Sequence, residues 1–190
     1  MGSNFTAIYD ACVLYPAPLR DLLMQLALSD LYRARWTEKI HSEWMRNVLK
    51  NRPDLSKKQL TRTKNLMDRS VRDCLIEGYE YIIPSLELPD PDDRHILAAA
   101  IKGQADIIVT MNLKDFPNSI LSEYEIEAQH PDIFIADLID IYPMRVATAA
   151  EACRKRLKNP PKSIDEYLEI LLKQGLTVTT SLLKQYCYEI

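Results

Sequence analysis

The sequence predicts an α/β domain over residues 1–143, a mainly parallel central sheet flanked by helices, followed by an α-helical extension over residues 144–190. Three observations predict it. Short apolar runs alternate with amphipathic stretches as far as Pro143, the order that a parallel sheet with crossover helices requires. One run, Asp106–Thr110 (DIIVT), is continuously apolar, as a strand covered on both faces must be. Beyond Pro143 the helical spacing continues with no strand-like segment.

Each element follows from local signals. Asn4–Tyr9 (NFTAIY) is a short strand that ends at Asp10. After Pro16 and Pro18, Leu19, Leu22, Leu23 and Leu26 fall on one face of a helix. Arg33–Trp36 is a second short strand. Thr37 is placed to cap a helix carrying Ile40, Trp44 and Val48, which Pro53 closes. Ser56 opens a long basic helix expected to run to about Glu77, with Leu60, Met67, Val71 and Leu75 as its apolar stripe. Tyr79–Ile83 (YEYII) reads as a strand stopped by Pro84, and Ser85–Pro91 as loop. Asp92 to about Lys102 is a helix started by acids and Pro91 and ended by Gly103. Met111–Pro117 is loop, Tyr124–Glu127 a last strand, and Pro131 opens a helix over Ile133–Ile141. In the extension, residues 145–158, 163–174 and 177–187 read as helices, broken at Asn159-Pro160-Pro161, with Ser163 and Glu166 as a capping box. The stripe Ile164, Leu168, Leu171 and Leu172 is suited to dock on its own domain or on a partner, and folding back is the expectation.

Composition removes several classes. With 190 residues, 47% of them hydrophobic, the chain can fill the core of one ordinary domain and a small appendage. Four Gly against eleven Pro leave no collagen-like or flexible-linker architecture. No uncharged apolar run reaches the ~18 residues of a transmembrane helix. No cationic segment followed by an apolar run marks a secretory signal, so a cytoplasmic location without membrane contact is expected. Cys12, Cys74, Cys153 and Cys187 form no CxxC pair and are expected to be buried or incidental thiols. Phosphate-binding glycine motifs and a nucleophile elbow are absent.

The net charge of −3 conceals a segregation. Residues 33–72 hold twelve Lys and Arg against four acids, whereas residues 73–144 hold three against fifteen. Such blocks are either solvated helical faces that neutralise one another or a basic surface for a polyanion beside an acidic pocket for a metal.

In a parallel sheet, ligand chemistry gathers at the carboxyl ends of the strands. Asp10 ends the first strand, Asp93 begins the helix after YEYII and its loop, and Thr110, Asn112 and Asp115 follow DIIVT. Glu43 borders the Ile40/Trp44/Val48 stripe and so points toward the domain. Each acid also has a local structural use: Asp10 and Asp115 in turns, Asp90, Asp92 and Asp93 at a helix start, Glu43 paired with Lys39 or Arg46. Taken together they form a hard-oxygen donor set suited to Mg²⁺ or Mn²⁺. His41, His95 and His130 are scattered and read as surface or helix-face residues.

In their order along the chain, IYDACVLYP, WTEKIHSEWMRNV, DPDDRHILAAAI and ADIIVTMNLKDFP resemble a PIN-domain nuclease, specifically the VapC-type toxins of bacterial toxin–antitoxin pairs. The resemblance covers residues 4–143, and KNPPKSIDEYLEILLKQGL resembles the helical extension of one subgroup. Carried over by position, Asp10 and Glu43 match the family's first two metal-binding acids. Asp93 matches the third, because Ile96, Ala98 and Ala100 follow it at the D-x-x-I-x-A-x-A spacing. Thr110 and Asn112 match its T-x-D/N element. Asn stands where many relatives have Asp, and Asp115 is the candidate to supply that acid. The resemblance implies hydrolysis of RNA phosphodiester bonds (tRNA, rRNA or mRNA) by a water activated at Mg²⁺ or Mn²⁺, with Thr110 or Asn112 orienting water or phosphate. It also implies a cognate antitoxin and a homodimer. Arg46, Lys50, Arg52, Lys57, Lys58, Arg62 and Lys64 would then hold RNA phosphates. Two alternatives stand beside this reading: a catalytically weak or inactive PIN-like scaffold binding RNA or protein, and a DNA-directed structure-specific nuclease.

Overall fold

The computed structural model describes residues 5–186. The chain runs β1 (Thr6–Tyr9), α1 (Ala11–Leu14), α2 (Ala17–Leu28), β2 (Arg33–Arg35), α3 (Glu38–Asn51), α4 (Lys57–Ser70), α5 (Arg94–Lys102), β3 (Ile107–Val109), α6 (Asn118–Leu121), β4 (Glu127–Gln129) and α7 (Pro131–Ile141). Helices α8 (Pro143–Arg156), α9 (Ile164–Leu172) and α10 (Thr177–Tyr186) follow. The four strands form one parallel sheet in the order β2-β1-β3-β4. Ala7, Ile8 and Tyr9 are all fully buried. Successive strand residues face opposite sides, so both faces of the sheet are covered, as the apolar run of DIIVT requires. The α/β architecture with a helical extension is therefore as the sequence predicts.

The register decides where the site lies. Tyr9 pairs with Val109, and Val109 with Gln129, so the three strands end level. The next residues stay hydrogen-bonded across the edge: Asp10 N–H donates to the Val109 carbonyl at 3.1 Å, and Thr110 N–H to the Gln129 carbonyl at 3.0 Å. Asp10 and Thr110 thus emerge side by side.

Capping signals translate directly. The Thr37 hydroxyl accepts from Ile40 N–H at 3.1 Å at the start of α3. Ser56 with Gln59 and Ser163 with Glu166 form reciprocal capping boxes. Three elements differ from expectation. Helix α4 stops at Ser70 rather than near Glu77, because Val71 is extended and Asp73 takes a left-handed backbone (φ 52°). The released chain lies along the sheet margin instead: Trp36 N–H donates to the Cys74 carbonyl and Ile76 N–H to the Trp36 carbonyl, both at 2.9 Å. YEYII is no strand but leads into a 3₁₀ turn over Glu80–Ser85 packed on α5. Gly78 (φ 65°) turns the chain just before it, and Pro84 within it has no N–H to offer a ladder. The last strand begins at Glu127 rather than Tyr124, because Glu125 is left-handed (φ 58°) and ends a 3₁₀ turn there. Asn4 and Cys187 lie outside the described residues.

A buried polar network joins α3 to α4. Trp44 Nε1–H donates to His41 Nδ1 at 2.9 Å, which leaves the His41 proton on Nε2, 2.9 Å from Asp68 Oδ1. Trp36 Nε1–H donates to the same oxygen at 2.8 Å, and Lys64 Nζ lies 3.3 Å from Asp68 Oδ2. Burial pushes the Asp68 carboxyl up, but these donors outweigh it and hold it below the usual range. Burial likewise lowers the His41 pKa, against the pull of Asp68. Asp68→Ala would orphan two buried ring N–H donors, so a loss of about 2–3 kcal/mol is expected, read as a lower urea midpoint.

The extension folds back on the domain. Leu168 and Leu171 are buried, α9 packs against α2, and Leu172 stays 48% exposed. Among the described residues no helix is long and apolar enough to cross a membrane.

Candidate active site

Asp10 is buried and rigidly held. Its Oδ2 accepts from the Thr110 hydroxyl at 2.6 Å and from the Cys12 thiol at 2.9 Å, and Oδ1 accepts from Cys12 N–H at 3.3 Å. Thr110 is fully buried and also accepts from Asn112 N–H at 3.0 Å. Its hydroxyl proton is therefore committed to Asp10, not free for water or phosphate. Cys12 Sγ accepts from Met111 N–H at 3.2 Å. Burial first, and then the Asp10 charge, push the Cys12 thiol far up, so it stays a proton donor to Asp10. Sequence reading gave Cys12 no role. Its position two residues after Asp10 is visible there, but its contact with the far strand end is not.

Asp93 sits at the N-terminus of α5, preceded by a short 3₁₀ turn in which the Asp90 side chain accepts from Asp92 N–H at 2.9 Å. Asp93 itself makes no capping bond. Its carboxyl is pushed up to about 7, first by burial and then by the neighbouring charges of Asp10, Asp90, Asp115 and Glu43. Four chain segments therefore deliver carboxylates within electrostatic reach of Asp93. Asp115 comes from the 3₁₀ turn Leu113–Asp115 and is half-buried, whereas Asn112 is exposed. Asp92 is exposed.

Glu43 reaches the pocket from α3. Its side chain is 20% exposed, and its Oε1 lies 3.1 Å from His95 Nε2 and 3.8 Å from Lys39 Nζ. His41 and His95 are both buried, so the surface part of the sequence reading fails for them. His130 Nδ1 accepts from Asp132 N–H at 3.2 Å at the start of α7.

The basic residues lie on α3 and α4. Arg46, Lys50, Arg52, Lys57, Lys58 and Arg62 are exposed, though Arg52 is paired with Asp54 at 2.6 Å. Lys64 is held between Glu38 at 2.7 Å and Asp68 at 3.3 Å. Arg69, which sequence reading left out, joins Lys57, Lys58 and Arg62 along one shallow depression of α4. Beside it runs an apolar groove between α2, α4 and the extension, lined by Met24, Leu28, Leu66, Leu157 and Ile170.

The chemistry of the acids fits a hard divalent cation, since all are oxygen donors and none has a basic partner that neutralises it fully. Their spacing fits less well. Among the described residues no group of three or more His, Cys, Asp or Glu side chains stands close enough together to hold a metal ion.

A level parallel sheet edge with acids gathered from four segments places the chain in a nuclease-like class of α/β domains. It belongs to the PIN-domain family, whose model (PIN domain) matches residues 6–114. A second model, the VapC50 C-terminal domain, matches residues 131–185, from α7 to the end of the extension. A protein of Mycobacterium tuberculosis (strain ATCC 25618 / H37Rv) named "Putative ribonuclease VapC50" is 54% identical over 50 residues. That stretch covers 26% of this chain and 30% of the relative. No solved structure matches the chain.

Proposed function

We propose that the chain is a nuclease-type PIN domain that binds RNA across the acid pocket and the basic faces of α3 and α4, and that cuts it weakly at most. The observation that carries this reading is the partial assembly of the pocket. The charges of Asp10, Asp115 and Glu43 all act on Asp93, but among the described residues no three such side chains stand close enough together to hold a metal ion. RNA phosphates would be held by Arg46, Lys50, Lys57, Lys58 and Arg62, with Arg69 beside them. Lys64 and Arg52 contribute less, because acids already engage them.

A fully active metal-dependent endoribonuclease is the second reading, and the mutual repulsion of the acids at Asp93 favours it. In that case Asp10, Glu43, Asp93 and Asp115 would hold Mg²⁺ or Mn²⁺, which supplies Lewis acidity toward a phosphodiester. The chain's own residues fix the donors: Thr110 and Cys12 hold Asp10, and α5 presents Asp93. An antitoxin partner, a homodimer and a cytoplasmic location belong to the same reading by family likeness. The groove beside α4 is apolar enough to seat an antitoxin arm.

The test incubates purified protein and Asp93→Asn with a tRNA and rRNA pool, in Mg²⁺ or Mn²⁺ and again in EDTA, and measures RNA affinity alongside. Tight RNA binding with slow cleavage or none supports the weak domain. Rapid cleavage abolished by EDTA and by Asp93→Asn replaces it with the active endoribonuclease. Preference for branched DNA in competition would sink both readings.

A further inference from the structure

We infer that His95 is a positioning residue, which holds the Glu43 carboxylate inside the acid pocket opposite Asp93. Glu43 belongs to α3 and Asp93 to the start of α5, and the two helices share no extensive interface. The link between them is the pair His95 Nε2–Glu43 Oε1 at 3.1 Å. His95 is 3% exposed and fixed by the helix that carries Asp93 two residues earlier. Its Nδ1 is buried with no partner, so the imidazole is not held by a second polar contact, and Glu43 is the polar neighbour that accounts for its orientation. The cation near Glu43, Lys39, is 53% exposed and 3.8 Å away. Water and salt screen such a contact, and a long mobile side chain cannot fix a carboxylate.

The geometry has a consequence for the site. Without His95, Glu43 is free to rotate out toward Lys39 and solvent, away from the negative charges around Asp93. A carboxylate set loses affinity for a cation when a member is no longer oriented by its neighbours. One helix, α5, thus contributes an acid of its own and the holder of an acid from another helix. The role rests on the second reading above, in which the acid pocket holds a cation, but the pairing itself does not.

Two measurements on the full-length protein test it. The first is the Mn²⁺ dissociation constant of the wild type, His95→Leu, His95→Gln, Glu43→Ala and the double variant His95→Leu/Glu43→Ala. His95→Leu is expected to weaken Mn²⁺ by about 10–100-fold. His95→Gln, whose amide N–H falls near the place of Nε2–H, is expected to restore most of it. In the Glu43→Ala background, removing His95 should change nothing further. Equal affinity of His95→Leu and wild type, or the same loss with and without Glu43, overturns the inference. The second measurement is a urea-unfolding cycle without metal on the wild type, His95→Leu, Glu43→Ala and the double variant, where the pair should show coupling of about tenfold in the unfolding constant. If no protein binds Mn²⁺, the cation reading of the pocket fails, and this cycle still decides the pairing: additive losses overturn it.

Discussion

Asp93→Asn is expected to be more stable than the wild type at pH 8 and no more stable below pH 4. In the folded chain burial and four neighbouring acids raise the Asp93 carboxyl from 3.8 to about 7. A folded-state value raised above the unfolded one means that the protonated group fits the fold and the charged group strains it. The contribution is therefore fully present below about pH 4 and is lost progressively as pH rises through 7. Asn keeps the shape of the protonated acid and carries no charge at any pH. Because Asp93 is only half-buried, solvent screening reduces the effect, and a gain of about 1–2 kcal/mol at pH 8 is the reasonable scale. For a domain of this size that corresponds to a melting temperature higher by roughly 2–8 °C. Thermal scans of both proteins at pH 4, 6 and 8 measure it. A variant less stable than the wild type at pH 8 would mean that Asp93 is stabilised by its surroundings, contrary to the repulsion described here. The same substitution should remove any cation binding, so stability and function move in opposite directions at one carboxylate, as expected where a site stores strain.

The sheet edge was legible because its signals are local. A strand that ends in Asp, the unbroken run DIIVT, and the capping residues Thr37, Ser56 and Ser163 each act within a few residues of themselves, and all appear where the sequence puts them. What was not legible depends on backbone conformation that side-chain pattern does not encode. Apolar spacing through Val71 and Leu75 continued a helix past Ser70, but the left-handed Asp73 turned that stretch along β2 instead. YEYII had the composition of a strand, yet with Gly78 before it and Pro84 within reach it coils as a 3₁₀ turn beside α5. In the site the same division holds. Asp10, Asp93 and Asp115 can be nominated from topology, because strand ends and helix starts meet at one edge, and Glu43 from its place beside the apolar stripe of α3. Cys12 and His95 are not, since each acquires its role from a residue far away in sequence: Cys12 from Met111 and Thr110, His95 from Glu43. Charge counting also placed Lys64 among the phosphate-binding candidates, whereas packing of α4 on α3 puts it between Glu38 and Asp68.

The largest loss of stability is expected from a residue outside the pocket, Asp132. Its side chain, 6% exposed in the first turn of α7, accepts from two backbone donors that open α10: Val178 N–H on Oδ2 at 2.9 Å and Thr179 N–H on Oδ1 at 2.8 Å. The Thr179 hydroxyl returns a bond to the Asp132 carbonyl at 3.0 Å. One carboxylate therefore satisfies the otherwise orphaned N-terminal N–H groups of the last helix, and its charge lies favourably at the positive ends of two helices. Asp132→Ala would leave those donors buried without partners, Thr179 being fully enclosed. Each orphaned donor costs on the order of 1–3 kcal/mol, so a loss of about 3 kcal/mol is expected once some relaxation toward water is allowed. That corresponds to a melting temperature lower by roughly 6–12 °C for a chain of this length. Asp132→Asn should fall between the two, because one amide oxygen can serve one N–H while the amide NH₂ confronts the other. Urea unfolding gives the magnitude, and hydrogen exchange at Val178 and Thr179 locates it. Faster exchange there, with the amides of β1 and β3 still protected, identifies release of α10 from α7. An unfolding midpoint unchanged in Asp132→Ala would instead mean that apolar packing, with Leu171, Leu176 and Leu183 all fully buried, holds the extension without help from the carboxylate.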